Sequence, residues 1–238
     1  MAAYINTNVS SLFSQKSLNK SQNDLQVSLQ RLSSGLRINS AKDDPTGLST
    51  GTGLDTKLRG TNMAIRNAND GISTAQTNDG YMAQITENLQ RLSEIAVQLG
   101  GTASGVEQVA LVAENTRILA LAGATGGVVV GSDGSKVTGV GVAPTIAGTL
   151  TVAGIKTDID AVTTARTQYG ADMATFESAI NNLQTASVNI AAAKSRVMDT
   201  DYAAETATMT RNSILQQAGT AMLAQANQLP NTVLTLLR

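Results

Sequence analysis

The sequence predicts a mainly α-helical protein, in which long antiparallel helical coiled-coil arms from both ends flank a small β-hairpin region in the middle. Three observations carry that expectation. Apolar residues recur at spacings of three and four through residues 5–99 and again through 158–226, the stripe of an amphipathic helix. Between those stretches, residues 100–154 hold 12 of the 21 glycines together with short β-branched runs. Only 15% of the residues are charged and 3% are aromatic. An average soluble domain carries about 25% charged residues, and a compact core of this size normally uses more rings.

The first helix is predicted from a heptad-like seam of Leu18, Leu25, Leu29, Leu32 and Leu36, with Gln22 in the slot between the first two. The seam breaks at SSGLRINSAKDDPTG (residues 33–47), where Gly35 is a natural C-terminal stop. Asp44 followed by Pro45 reads as the N-cap and first residue of a second helix. That helix extends to about Leu99, or ~80 Å at 1.5 Å per residue. Its stripe is Ile65, Ala68, Ile72 and Ala75, then Met82, Ile85, Leu89, Leu92, Ala96 and Leu99. Asp79 falls in the stripe, and a shift of register near Ile85 resembles a stutter.

A shorter helix is expected at about Val106–Ala122. The runs VVV (Val128–Val130), KVTGVGV (Lys136–Val142) and TLTVAG (Thr149–Gly154), broken by GSDGS and Pro144, predict short strands and tight turns. Helix returns after Asp158 or Asp160, either of which could cap it. Its seam is Phe176, Ile180, Leu183, Ile190 and Val197, with Ser187 and Lys194 in the intervening slots. The stripe continues through Met209, Ile214, Leu215, Ala218, Met222 and Ala226, and Pro230 is expected to stop it.

Composition excludes several kinds of chemistry. With no Cys, neither a disulfide nor a thiolate is available, and with no His the commonest general base and metal ligand is missing. A net charge of -1 with no basic patch argues against a nucleic-acid partner. No apolar run reaches 18 residues, so no membrane insertion is expected. MAAYINTNVSSLF lacks a basic n-region followed by an apolar h-region, so no cleaved secretory leader is expected. GTGLDT (Gly51–Thr56) begins like a dinucleotide loop but lies inside a helix. Asp199 and Asp201 are too few carboxylates for a cation site. No cofactor or enzymatic activity is expected.

One face of the long second helix is unusual. Asn67, Asn69, Gly71, Ser73, Thr74 and Gln76 stand where a solvated helix usually carries paired Lys and Glu. The arms likewise carry Ala, Ser, Thr, Asn and Gln outside the seam. Small residues permit close approach, and amides can satisfy one another. The outer faces are therefore expected to be buried against other copies of the chain.

Six stretches carry a family resemblance. At the N-terminal end they are INTNVSSL (Ile5–Leu12), LQRLSSGLRINSAKDDPTGL (Leu29–Leu48), NMAIRNANDGISTAQT (Asn62–Thr77) and LQRLSEIAVQ (Leu89–Gln98). At the other end they are NLQTASVNIAAAKSRVMDTDYAAE (Asn182–Glu205) and ILQQAGTAMLAQANQLPNTVLTLL (Ile214–Leu237). The chain resembles bacterial flagellin, the flagellar filament subunit, in a short form lacking large outer domains.

The resemblance implies helical arms at 1–43 and 197–238 that form the inner tube of an open helical polymer and are disordered in the free chain. It implies a surrounding helical domain from 44–122 and 158–196, interrupted by a variable β region at 123–157. The residues assigned to the polymerising arms are Leu18, Leu25, Leu29, Leu32, Leu36, Ile214, Leu215, Met222, Leu229, Leu234 and Leu237. QRLSEIAVQ resembles the segment through which a host Toll-like receptor senses flagellins. That points to Gln90, Arg91, Glu94, Ile95 and Gln98, with Glu114 as the matching acid on the next helix, although the apolar Leu92, Ile95 and Ala96 read more readily as packing between helices. The same surface would serve as an axial contact between subunits. Implied partners are further copies of the chain, hook–filament junction and cap proteins, and an export chaperone. The implied location is the extracellular flagellum, reached without a cleaved leader. Some flagellins carry a zinc peptidase in the variable region, which needs His ligands that this chain lacks. The alternatives are a hook–filament junction protein of the same family and, from another class, a secreted coiled-coil interaction protein.

Overall fold

The computed structural model describes residues 7–99, 105–122, 128–129, 136–137, 144 and 151–236, with side chains of 128–129, 136–137 and 229–236 excepted. Five helices follow in the order α1 (Val9–Ser34), α2 (Pro45–Gln98), α3 (Val106–Leu121), α4 (Val152–Met198) and α5 (Tyr202–Leu236). Two-residue strands β1 (Val128–Val129) and β2 (Lys136–Val137) pair antiparallel, Val128 opposite Val137. The protein is mainly α, as expected. Two residue pairs do not amount to the expected β-hairpin region, most of which lies outside the described residues. Part of it is helical: Val152–Gly154, read as the end of a β-branched run, form the first turn of α4. Thr151 Oγ1 accepts the Gly154 N–H at 3.2 Å there.

Several boundaries follow from local chemistry. The Asn8 side chain caps α1 by accepting the Ser11 N–H. Gly35 ends it with φ 71°, a left-handed conformation that costs an L side chain roughly 1–2 kcal/mol. Asp44 Oδ1 accepts the Thr46 and Gly47 N–H groups at the start of α2. These donors hold the Asp44 carboxyl below its usual range, the Gly47 N–H first and the Thr46 hydroxyl next. Asp201 caps α5 by accepting from Ala203 and Ala204. Asp158, one of the expected caps of the fourth helix, instead lies buried well inside α4.

The chain divides into two compact units, Met1–Leu54 with Ala192–Arg238 and, separately, Asp55–Ala191. In the second unit α2, α3 and α4 share one apolar core. The α2 stripe is Thr61, Ala64, Ala68, Gly71, Ala75, Asn78, Met82, Ile85, Leu89, Leu92 and Ala96, all buried. Its spacing alternates three and four without interruption, so the expected stutter near Ile85 is absent. Asn78, not Asp79, occupies the slot, and small or polar residues there conceal the period from a count of apolar residues. Asp79 instead accepts from Arg166 Nε of α4 at 2.8 Å. Leu99, expected to close the stripe, is exposed in the turn after α2. The α4 seam begins at Ile155 and runs through Val162, Ala165, Tyr169 and Phe176, all buried. Burial raises the Tyr169 hydroxyl above its usual pKa, with the Asp172 and Asp79 charges adding to it.

The amide and hydroxyl face of α2 is served by its own helix. Asn69 Nδ2 donates to the Ile65 carbonyl, Ser73 to Asn69, Thr74 to Asp70 and Thr77 to Ser73. Each such bond satisfies a polar group within one turn.

In the first unit, α1 and α5 pair antiparallel. Asn8 Nδ2 donates to the Ala226 carbonyl at 2.8 Å, Ser11 Oγ lies 2.8 Å from Asn227 Oδ1, and Arg31 lies 3.5 Å from Glu205. Pro230 does not stop α5, which continues to Leu236. A proline leaves the carbonyl four residues earlier without its helical donor, and that carbonyl is Ala226. Asn8 supplies the missing N–H from the opposite helix.

Candidate subunit interface

The seam between α1 and α5 differs from the expected one. On α1 the inward residues are Ser11, Ser14, Leu18, Ser21, Leu25, Ser28 and Leu32, alternating Ser and Leu over most of their length. On α5 they include Glu205, Thr208, Asn212, Gly219, Leu223 and Ala226. Gly219 is where the helices press together, since a Cβ there would stand 3.3 Å from Leu18 Cδ1. Serine and glycine give the closest approach of two helix backbones, at the cost of apolar area removed from water.

Leu18, Leu25 and Leu32 thus lie in the seam as expected, and Leu29 does not: it is 50% exposed while the neighbouring Ser28 is buried. Leu36 lies beyond α1, half-buried, and its backbone forms an antiparallel bridge with Asp199. That bridge is reinforced by Arg37 N to the Met198 carbonyl at 2.7 Å and Thr200 N to the Gly35 carbonyl at 2.9 Å. On α5, Ile214, Leu215 and Met222 point outward with exposures of 59, 49 and 62%. Gln22 and Ala218 are exposed as well. The side chains of Leu229, Leu234 and Leu237 lie outside the described residues.

The pair therefore leaves several large apolar side chains exposed. Phe13 is 71% exposed, and Val9, Leu12 and Val27 are also exposed. An open groove of about 500 Å³ runs along one side, lined by Phe13 and Leu18 of α1 and by Leu215 and Met222 of α5. Inside, little is buried. Of the largest fully buried side chains among the described residues, Ser28 alone belongs to this unit, and the rest belong to the other. Phe13, Leu12 and Val27 were not singled out from sequence, because they fall between the leucines of the apparent seam.

The second candidate surface lies on α2 and α3. Gln90, Arg91, Glu94 and Gln98 are exposed as expected. Ile95 is buried and packs inward. Arg91 lies 3.2 Å from Glu94 and 3.5 Å from Glu107, and the Glu94 bond and the Glu107 charge both raise the Arg91 pKa. Glu114 pairs with Arg117 on its own helix at 2.6 Å, which lowers its pKa. Glu107, which sequence reasoning missed, is the α3 acid beside Arg91. Val97, Val106 and Val109 are exposed nearby in sequence. Among the described residues there is no cluster of acidic side chains able to hold a metal, and no helix is long and apolar enough to cross a membrane.

Comparison with known proteins places the whole chain in one context. The family model for the bacterial flagellin N-terminal helical region matches residues 5–127, and that for the bacterial flagellin C-terminal helical region matches residues 152–237. A flagellin of Halalkalibacterium halodurans is 33% identical over 98% of this chain and 99% of its own length. A flagellin of Xenorhabdus nematophila is 33% identical over the full length of both chains. The B-type flagellin of Pseudomonas aeruginosa is 51% identical over 47% of this chain and 23% of its own.

Proposed function

The chain belongs to the bacterial flagellin family, and we propose that it polymerises by covering the outward apolar face of α1 and α5 with the corresponding arms of further copies. It is a structural subunit of the extracellular flagellar filament and not an enzyme. A single observation carries the reading of the arms: the helix pair fills much of its seam with small residues, Ser11, Ser14, Ser21, Ser28, Gly219 and Ala226, and turns Phe13, Leu29, Ile214, Leu215 and Met222 to the outside. Isolated helices draw most of their stability from packing. A pair that buries so little is stabilised when its outer face is also buried, so docking and ordering of the arms are coupled. The leucines assigned to polymerisation divide accordingly. Leu18, Leu25 and Leu32 hold the pair together, while Leu29, Ile214, Leu215 and Met222 contact other copies. Leu229, Leu234 and Leu237 are assigned to polymerisation as well. Contacts of this kind are heterologous and open, which generates fibres in place of closed rings.

We assign the Arg91, Glu94, Glu107 and Gln98 surface to the axial contact between subunits, and to recognition by a flagellin-sensing Toll-like receptor when that contact is exposed. Export without a cleaved leader, an export chaperone on the C-terminal arm, and junction and cap proteins at the filament ends complete the proposal. Seeded growth tests it. Purified chain added to short filament seeds grows long filaments in electron micrographs. A closed oligomer of fixed size under the same conditions would overturn the reading.

A further inference from the structure

A cavity of about 20 Å³ lies among α2, α3 and α4, with Leu89, Leu92, Val112 and Leu119 forming its apolar wall and Asn115, Asp158 and Thr116 its polar one, the Thr116 hydroxyl donating to the Val112 carbonyl. Asn115 is 2% exposed and Asp158 3%. Asn115 Oδ1 accepts from Asn88 Nδ2 at 2.8 Å. Gln84 Nε2 donates to Asn88 Oδ1 at 3.4 Å, which turns the Asn88 NH2 toward Asn115 and the Asn115 oxygen toward Asn88. The buried Asn115 Nδ2 then has no acceptor among the described residues. Asp158, a carboxylate with about four lone-pair sites, lines the same cavity.

An occupant must accept from an amide N–H and donate to a carboxyl oxygen. A cation would meet the amide donors, and an anion would meet the carboxyl oxygens. The space suits one water, which needs about 10–15 Å³ measured in this way. We propose that a single water is held here as a structural ligand, bridging Asn115 Nδ2 and Asp158. It joins α3 to α4 as the Asn88–Asn115 bond joins α3 to α2. The node fixes the register of the helix that places Glu107 beside Arg91. The proposal does not depend on polymerisation.

The test is a water–protein cross-relaxation experiment by NMR on the full-length monomer. The Asn115 side-chain NH2 protons should give a cross-peak to water with the sign of dipolar contact, opposite to that of chemical exchange. Asp158→Asn, whose amide oxygen still accepts, retains the peak, and Asp158→Leu loses it. If Asp158→Leu does not fold, the native protein and Asp158→Asn still decide. No dipolar peak in the native protein, its loss in Asp158→Asn, or an unchanged peak in folded Asp158→Leu would overturn the proposal.

Discussion

Asn8 on α1 donates through Nδ2 to the Ala226 carbonyl of α5 at 2.8 Å, the carbonyl that Pro230 cannot serve. The same side chain accepts the Ser11 N–H and caps α1. One residue thus starts one arm and repairs a gap in the other. Asn8→Ala should remove both bonds, each worth about 1 kcal/mol. Hydrogen exchange should speed up in the first turns of α1 and the last turns of α5, while the Asp55–Ala191 unit keeps its protection. Unchanged exchange in α5 would deny the repair.

Substitution separates the seam of the arms from their outer face. Ser28→Leu forces a larger side chain into a buried position and should cost about 1–3 kcal/mol. Leu29→Glu, one position along, should change monomer stability by about 0.5 kcal/mol or less. It should nonetheless stop seeded growth, because it places a carboxylate in the proposed contact. Equilibrium denaturation and electron microscopy of both variants check the contrast.

The second unit should behave as an ordinary core. Phe176→Ala removes a fully buried ring and should cost about 3–5 kcal/mol. The loss should appear in denaturation of the monomer before any assembly step. Breaking the partly exposed Asp79–Arg166 pair by Asp79→Ala should cost about 1 kcal/mol or less.

The α2 cap predicts a pH dependence. The Asp44 carboxyl is held below its usual range by the Gly47 N–H, the Thr46 hydroxyl and the Thr46 N–H. Its contribution is complete above the unfolded value of about 3.9 and is lost as pH falls through the lower folded value. The Gly47 amide resonance should therefore titrate with a midpoint below about 3.9. Asp44→Asn should abolish that titration. A native midpoint at or above the ordinary carboxylate value would contradict the cap.

Much of this fold was legible in the chain. Gly35 and the Asp44–Pro45 pair marked the break between α1 and α2 because each carries its own backbone chemistry. The α4 seam was legible from Phe176 to Val197 because Phe176, Ile180, Leu183, Ile190 and Val197 keep its spacing across Ser187 and Lys194. Where slots hold Thr61, Gly71 and Asn78, counting apolar residues misplaced the period of α2. Leu29 was read inward for a related reason. Regular leucines suggested a seam, whereas the close approach of α1 and α5 required the serine beside it. Pro230 was read as a stop because the donor that compensates it lies 222 residues earlier, at Asn8. Ile95 shares the motif of the exposed charges, but as an apolar residue it read more readily as helix packing, and it faces the core. Glu107 went unnoticed because its partner Arg91 is on another helix.

The central claim is that the outer face of the α1–α5 pair is open in the free chain and covered in the filament. The chain has no cysteine, so Leu215→Cys introduces a single thiol on that face. Its reaction rate with a water-soluble maleimide, measured for monomer and then for filament, is the most direct test. The account predicts rapid labelling of the monomer and at least a tenfold slower reaction after assembly, about 1.4 kcal/mol of protection. Equal rates in filaments verified by microscopy would contradict it.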